Sequence, residues 1–321
     1  MTNPTTTLAI DQEFAHHVAD GLNARPRKLS SRYFYDDRGD KLFQQIMRMP
    51  EYYLTDAEYE ILETHRDAIR RRVAGAPFDL VELGAGDGYK TKVLLRHFFD
   101  HKVDFTYRPI DISGDVLRTL ERDLAEVEPR LDVQPIQGEY FKALEKLNTV
   151  SSRRKVLLFM GGNIGNFQPE PARDFLCHLY GQMNAGDFLL VGFDLKKDPQ
   201  RILDAYNDPT GITAAFNLNL LERINRELGG NFDLDYWSHW ENYDPITGAT
   251  RSFLISRREQ EVRLEATGTT HHFHAWEAID VELSQKLGLE EIEQFGADCG
   301  FTQVDAYFDA RRDMVDMLWR K

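Results

Sequence analysis

The sequence predicts an α/β fold, a doubly wound and mostly parallel sheet accompanied by a second, smaller α+β domain. Three observations predict it. Short apolar runs alternate with helically spaced segments between Phe78 and Phe193, the rhythm of strand–helix–strand units whose helices cover a parallel sheet. The first run ends in a glycine-rich loop, Gly84-Ala85-Gly86-Asp87-Gly88, that opens into a helical pattern. After Leu195 the rhythm stops, and residues 196–286 intervene before it closes. That interval is far beyond an ordinary strand–helix connection, so it must carry structure of its own.

The elements follow in order. Residues 1–10 are polar and threonine-rich and read as a frayed tail. Residues 11–60 read as short helices and loops containing the aromatics Tyr33, Phe34, Tyr35, Tyr52 and Tyr53, and a charged amphipathic helix is expected over about 56–73. Strands are expected at Phe78–Gly84, Phe105–Ile112, Leu131–Gly138, Lys155–Met160 and Phe188–Phe193. Helices are expected at Thr91–Phe99, Asp115–Val127 and Pro171–Met183. KVLLFM at 155–160 is apolar enough to be buried on both faces. The interval after Leu195 opens on a helical run, Ala214–Leu228, followed by aromatic, turn-rich sequence. The chain closes with a helix at Leu289–Cys299 and strands at Phe301–Phe308 and Met314–Trp319 around the turn Asp309–Asp313. The domains expected are thus 62–195 with 287–321, and 1–61 with 196–286.

Composition narrows the partners. A net charge of −14 repels phosphate backbones and anionic membranes, so no nucleic-acid or membrane partner is expected. The N-terminal segment lacks a basic patch followed by an apolar stretch, and no segment has the length of a membrane span. Cys177 and Cys299 are far apart and outside any CxxC pattern, so reduced thiols and a cytoplasmic location are expected.

The glycine loop carries the first chemical signal. Glycine tolerates positive φ and lets a ligand approach the backbone, and the helix that follows presents free N–H groups. At the end of the first parallel strand, this is where α/β folds hold nucleotides. The spacing is not that of a dinucleotide fingerprint: the third glycine comes one residue early, and Tyr89 occupies the position that needs a small residue. No Gly-Lys-Ser/Thr is present, which excludes a phosphate-gripping P-loop. Glu82-x-Gly84-x-Gly86-x-Gly88 instead resembles the first motif of class I methyltransferases, which bind S-adenosyl-L-methionine. Asp111, at the end of the second strand, is placed to accept ribose hydroxyls, and Glu139-Tyr140 follows the third strand, where such enzymes grip adenine. An antiparallel strand closing the sheet also fits a Rossmann-like class I methyltransferase.

Longer blocks resemble one family, the histidine Nα-methyltransferases of the ergothioneine pathway, whose relatives include enzymes that N-methylate prenylated tryptophan. The blocks are RYFYDDRGDKLFQQIMRMPEYY (32–53), LVELGAGDGYKTKVLL (80–95), FMGGNIGNF (159–167) and AYNDPTGITAAFNLNLLERINRELGGNFDLD (205–235). The resemblance implies a methyltransferase domain plus a substrate domain. It further implies Nα-methylation of free L-histidine, with trimethylation to the betaine; a monomer is expected. Carried over position by position, Tyr52, Gly161, Asn166, Tyr206, Glu282 and Ser284 match substrate-holding residues. Asn166 and Tyr206 match the carboxylate side; Glu282 and Ser284 match the imidazole side. Tyr35 matches a tyrosine close to the reacting amine. Gly84, Gly86, Lys90, Asp111, Glu139 and Tyr140 match the cofactor side. One position departs: Ser252 stands where the histidine enzymes carry a methionine. The extra room keeps open a second reading, N-methylation of another amino acid such as tryptophan or a derivative.

Two further features are weighed. His271-His272-Phe273-His274 resembles a metal motif, but no acidic or cysteine partner lies at ligand spacing in sequence, and no metal is expected. A nicotinamide-dependent oxidoreductase is disfavoured by the glycine spacing.

Overall fold

A computed structural model describes residues 11–321; the polar tail at 1–10 lies outside the described residues. In chain order the elements are α1 (Gln12–Asn23), β1 (Arg27–Lys28), α2 (Asp37–Ile46), α3 (Tyr53–Val73), β2 (Phe78–Leu83), α4 (Thr91–Asp100), β3 (Phe105–Asp111), α5 (Gly114–Val127) and β4 (Ile136–Gln137). There follow α6 (Tyr140–Val150), β5 (Arg154–Phe159), α7 (Pro169–Gln182), β6 (Phe188–Asp194), α8 (Pro199–Tyr206) and α9 (Ile212–Leu228). The last are β7 (Trp237–Asp244), β8 (Ala249–Ser256), β9 (Gln260–Leu264), β10 (Thr269–Phe273), β11 (Ala278–Gln285), α10 (Leu289–Cys299), β12 (Thr302–Phe308) and β13 (Met314–Arg320). The described chain divides into two compact units. One comprises the residues through Tyr52 with Asp198–Ser284; the other comprises Tyr53–Lys197 with Gln285–Lys321. The sequence suggested a first boundary at 61/62, but α3 is one unbroken helix from Tyr53 to Val73, so the division falls ahead of it.

The larger unit is built on a seven-stranded sheet in the order β12-β13-β6-β5-β2-β3-β4. The strands β4, β3, β2, β5 and β6 are parallel; β13 runs antiparallel to both β6 and β12. This is the α/β, mostly parallel architecture expected. Its inner strands β2 and β6 are buried at every residue, as strands covered by helices on both faces must be. Val81, Leu157, Leu189, Val191, Val315 and Trp319 pack there with Leu144, Leu176, Leu179 and Ile292 from the helices. The third predicted strand is a correction. Over Leu131–Gly138 only Ile136–Gln137 is a strand, with one further bridge between Tyr107 and Val133. Pro135 has no N–H to give a ladder, and β4 is the sheet edge.

The two cysteines are a second correction. Helices α7 and α10 pack against one another and bring the Cα atoms of Cys177 and Cys299 to 4.6 Å, and the sulfurs are joined in a disulfide. A separation of 122 residues concealed a pairing that only the helix packing creates.

The smaller unit holds a four-stranded sheet in the order β1-β11-β8-β7 and a two-stranded sheet of β9 and β10. Strand β8 buries every second residue, the period of a sheet with one covered face. The cover is α9, whose Phe216, Leu220, Leu221, Ile224 and Leu228 recur at helical spacing and pack with Phe14, Leu22, Trp237, Leu254, Phe273 and Val281. It ends at Gly229, which adopts the left-handed conformation that closes helices.

The backbone passes between the units after Tyr52, after Lys197 and after Ser284. A residue within two positions of each passage bonds to the same carboxylate. Tyr53 donates its hydroxyl to Asp194 at 3.0 and 2.9 Å, Lys286 Nζ lies at 2.8 Å, and Lys197 pairs with the same group. Asp194 and Lys286 are both buried. Among the described residues no helix is long and apolar enough to cross a membrane.

Candidate functional site

In the larger unit the candidate cofactor residues gather at the carboxyl ends of β2 and β3. Gly84, Gly86 and Gly88 have φ of 75°, 54° and 63°, a conformation that L side chains rarely adopt. The Gly86 N–H donates to Asp111 Oδ2 at 3.3 Å, and Ser113 N–H donates to Asp111 Oδ1 at 2.9 Å. The loop and the β3 carboxylate are therefore one structure. Tyr140, at the start of α6, closes the other side: a Cβ on Gly84 would stand 2.7 Å from the Tyr140 hydroxyl. Burial, then the charge of Asp111, pushes the Tyr140 phenol up to about 12. Glu139 is exposed and pairs with Lys142 at 2.9 Å. Glu82, which opens the motif, is buried beneath the loop, accepts hydrogen bonds from Thr91 and Tyr107, and is pushed up to about 7 by burial.

Gly161 and Gly162 follow β5 with φ of 82° and 66°, and start the 3-10 turn Asn163–Asn166. Gly165 has no side chain because a Cβ there would meet the Gln285 carbonyl at 2.8 Å. Asn166 is exposed. Asn163, which the sequence reading passed over, sets its amide between the two glycine turns, 3.9 Å from a Cβ on Gly84 and 3.4 Å from one on Gly161. It was missed although it lies inside FMGGNIGNF. Lys90 does not point away from the fold: its Nζ pairs with Glu58 on α3, a buried residue that no sequence motif flagged.

In the smaller unit the candidate substrate residues converge. The Tyr206 and Ser284 hydroxyls are 2.7 Å apart. Tyr52 packs edge-on against Tyr206, with ring centroids at 6.2 Å, and against Phe43 at 6.4 Å. Tyr35 packs edge-on against Phe43 and Phe216 at 5.5 and 5.7 Å and stays 46% exposed. Glu282 lies on β11, and Ser252 on the neighbouring β8 donates to its Oε2 at 2.8 Å. Ser252 is also register partner of Glu241 on β7. Glu241, Ser252 and Glu282 therefore form a polar row across three adjacent strands. His239, two residues before Glu241, donates through Nε2 to the Tyr206 carbonyl at 3.2 Å, and burial lowers its imidazole below the usual histidine range. His239 and Glu241 had a signal, alternation along a strand, that the turn-rich composition hid.

Two histidine clusters lie elsewhere. The β9–β10 hairpin brings Glu259 to His272 at 2.8 Å, with His274 alongside, so the acidic partner missing in sequence is supplied by pairing. All three are exposed. Asp67, His97 and His101 also meet, but both Asp67 oxygens are already engaged by Arg70 and Arg71 at 2.8 and 2.6 Å.

The strand order, the glycine loop on β2 and the carboxylate on β3 define the class, an S-adenosylmethionine-dependent methyltransferase with a Rossmann-like sheet. The chain belongs to the family of histidine-specific, SAM-dependent methyltransferases, whose profile matches residues 14–321. It is 36% identical over 297 residues to the histidine N-alpha-methyltransferase of Mycolicibacterium smegmatis, covering 92% of this chain and 91% of that protein. It is 34% identical over 296 residues to that of Mycobacterium tuberculosis, covering 92% and 91%. The L-tryptophan methyltransferase trpM of Psilocybe serbica is 27% identical over 325 residues, covering 92% and 89%.

Proposed function

We propose that this enzyme methylates the α-amino nitrogen of free L-histidine, three times in succession, to give the betaine. The observation that carries the substrate is the pair of groups on β11. Glu282, oriented by Ser252, and Ser284, oriented by Tyr206, present a carboxylate and a hydroxyl two residues apart on one strand. Residues i and i+2 of a strand face the same way. An imidazole has two ring nitrogens that such a pair can engage, and an apolar side chain offers neither group a hydrogen bond.

The division of labour we assign is cofactor to the larger unit and amino acid to the smaller. The glycine turns fit S-adenosylmethionine because they leave backbone space where a Cβ would intrude, with Asp111 available to ribose hydroxyls and Tyr140 to the adenine. When bound, S-adenosylmethionine supplies a methyl group carried on a positively charged sulfur. Everything else is the work of the chain. Tyr206 holds the amino acid's carboxylate, and Glu282 and Ser284 hold its ring. Tyr52 and its aromatic neighbours offer π-faces to a nitrogen that gains methyls and becomes a permanent cation. The amine must shed a proton before each transfer, because an α-ammonium is mostly protonated near neutrality. Tyr35, exposed at the edge of the aromatic group, passes that proton to water. The activity is assigned to a monomer in the cytoplasm acting on a small molecule, without nucleic acid, in keeping with the net charge of −14.

The test is mass spectrometry of the protein incubated with S-adenosylmethionine and a pool of free amino acids. Gains of one, two and three methyls on histidine are expected. Gain on tryptophan alone would establish the rival reading that Ser252 suggests.

A further inference from the structure

Glu58 belongs to none of the motifs above, yet it is completely buried. Helix α3 carries it beneath the ends of the parallel strands, where its carboxylate has two partners. The Gly161 N–H lies 2.7 and 2.8 Å from its two oxygens, and the Lys90 ammonium pairs with it. The space it occupies exists because residue 192 of β6 is glycine: a Cβ there would stand 2.1 Å from Glu58 Oε1. Across the ladder, Asp316 of β13 is the register partner of Gly192, and its Oδ1 lies 3.2 Å from the same point. Neither Asp316 oxygen has a hydrogen-bond partner among the described residues. Burial, then the neighbouring Glu58 charge, pushes the Asp316 carboxyl well above the usual carboxylate range.

A buried carboxylate is costly unless a cation and N–H donors compensate it. Here the two compensating groups come from two separate loops. Lys90 stands immediately before α4, at the end of the Gly84–Gly88 loop; Gly161 starts the turn that leads to Asn166. Gly161 is left-handed, a conformation that glycine adopts freely and that the bond to Glu58 selects here. One carboxylate thus ties the loop after β2 to the loop after β5, and does so from a helix that carries neither.

We propose that Glu58 is a positioning residue for the cofactor, holding the Lys90 ammonium and the Gly161 amide in the arrangement that S-adenosylmethionine binds. This rests on the reading of the glycine loop and Asp111 as the cofactor site. Because Glu58 acts through Lys90, the two should not act independently.

The test is calorimetric titration of the full chain with S-adenosylhomocysteine, using Glu58→Gln, Lys90→Gln and the double variant. Glutamine keeps an acceptor for the Gly161 N–H and removes only the charge. Glu58→Gln is expected to weaken binding about tenfold, and the double variant to bind within about twofold of Lys90→Gln. A merely structural Glu58 would lower the melting temperature and leave the affinity of the folded protein unchanged. Glu58→Gln binding within twofold of wild type, or losses that multiply in the double variant, would overturn the proposal. Should Glu58→Gln alone not fold, the double variant against Lys90→Gln decides: equal affinities support the proposal and a further tenfold loss refutes it. No binding by the wild-type chain overturns the cofactor reading and this proposal with it, whereas wild-type binding with an unaffected Glu58→Gln overturns this proposal alone.

Discussion

The hydroxyls of Tyr206 and Ser284 lie 2.7 Å apart across 78 residues of sequence, joining the end of α8 to β11. Each orients the other, so Tyr206→Phe and Ser284→Ala should both raise the KM for histidine. A hydrogen bond to a charged substrate group contributes about 1.5–3 kcal/mol, a loss of roughly 10- to 100-fold. Steady-state kinetics of both variants and the double variant check this. Losses that multiply would mean that the two hydroxyls act separately.

Ser252 donates to Glu282 at 2.8 Å. Removing the hydroxyl should leave Glu282 less well oriented, at about 1 kcal/mol, or about fivefold in kcat/KM for histidine. Glu282→Ala should cost far more and narrow the preference for histidine over tryptophan. Competition between the two amino acids, followed by mass spectrometry, measures both effects. An unchanged preference in Glu282→Ala would remove Glu282 from the substrate pocket.

Gly84→Ala should impair the cofactor loop. The new Cβ meets the Tyr140 hydroxyl at 2.7 Å, and φ of 75° is unfavourable for alanine. A strained left-handed residue costs about 1–2 kcal/mol, so binding of S-adenosylhomocysteine should weaken by about tenfold or more. Gly211→Ala, left-handed but with open space around it and outside the proposed site, is the control for strain alone.

Glu82 should give stability a pH dependence of known sign. Burial raises its carboxyl from 4.5 to about 7, against the lowering influence of Thr91, Tyr107 and Lys90 and with Glu58 adding to the rise. The folded state therefore holds a proton that the unfolded chain releases. The contribution is fully present below about pH 4.5 and is lost as pH rises to about 7, on the order of 3 kcal/mol in all. Glu82→Gln cannot titrate, so its unfolding free energy should gain on wild type across that window. Parallel denaturant-derived curves for the two proteins over pH 4.5–7 would show that Glu82 is not raised.

Asp194 compensates two ammonium groups, the buried Lys286 and the half-buried Lys197. Asp194→Asn removes the carboxylate that they share, and breaking a buried pair in this way costs about 3–5 kcal/mol. Urea unfolding should show the midpoint fall. A shift below about 1 kcal/mol would mean that water already screens the cluster.

Much of the larger unit was legible because its signals are local. The runs at Phe78–Leu83, Lys155–Phe159 and Phe188–Phe193 are mostly apolar, with Asp79, Glu82 and Lys155 the charged exceptions, as strands buried on both faces are. The helix at Leu289–Cys299 shows its period within three turns. Leu131–Gly138 misled because Pro135 breaks an otherwise plausible strand at the sheet edge. In the smaller unit β7 was hidden because Trp237, His239, Glu241 and Tyr243 form a polar, aromatic alternation that composition alone reads as loop.

What the sequence by itself determined is the order of elements, the glycine loop with its carboxylate at Asp111, and the blocks that mark the family. These depend on neighbours a few positions apart or on whole motifs. The tertiary structure alone decided that Ser252 serves Glu282, that Cys177 meets Cys299, that Asp194 collects Tyr53 and Lys286, and that Glu58 sits under both loops. Each of those is a buried polar or sulfur contact between distant segments. Its partner is set by which strands and helices pack side by side, and no local pattern in the chain encodes that choice.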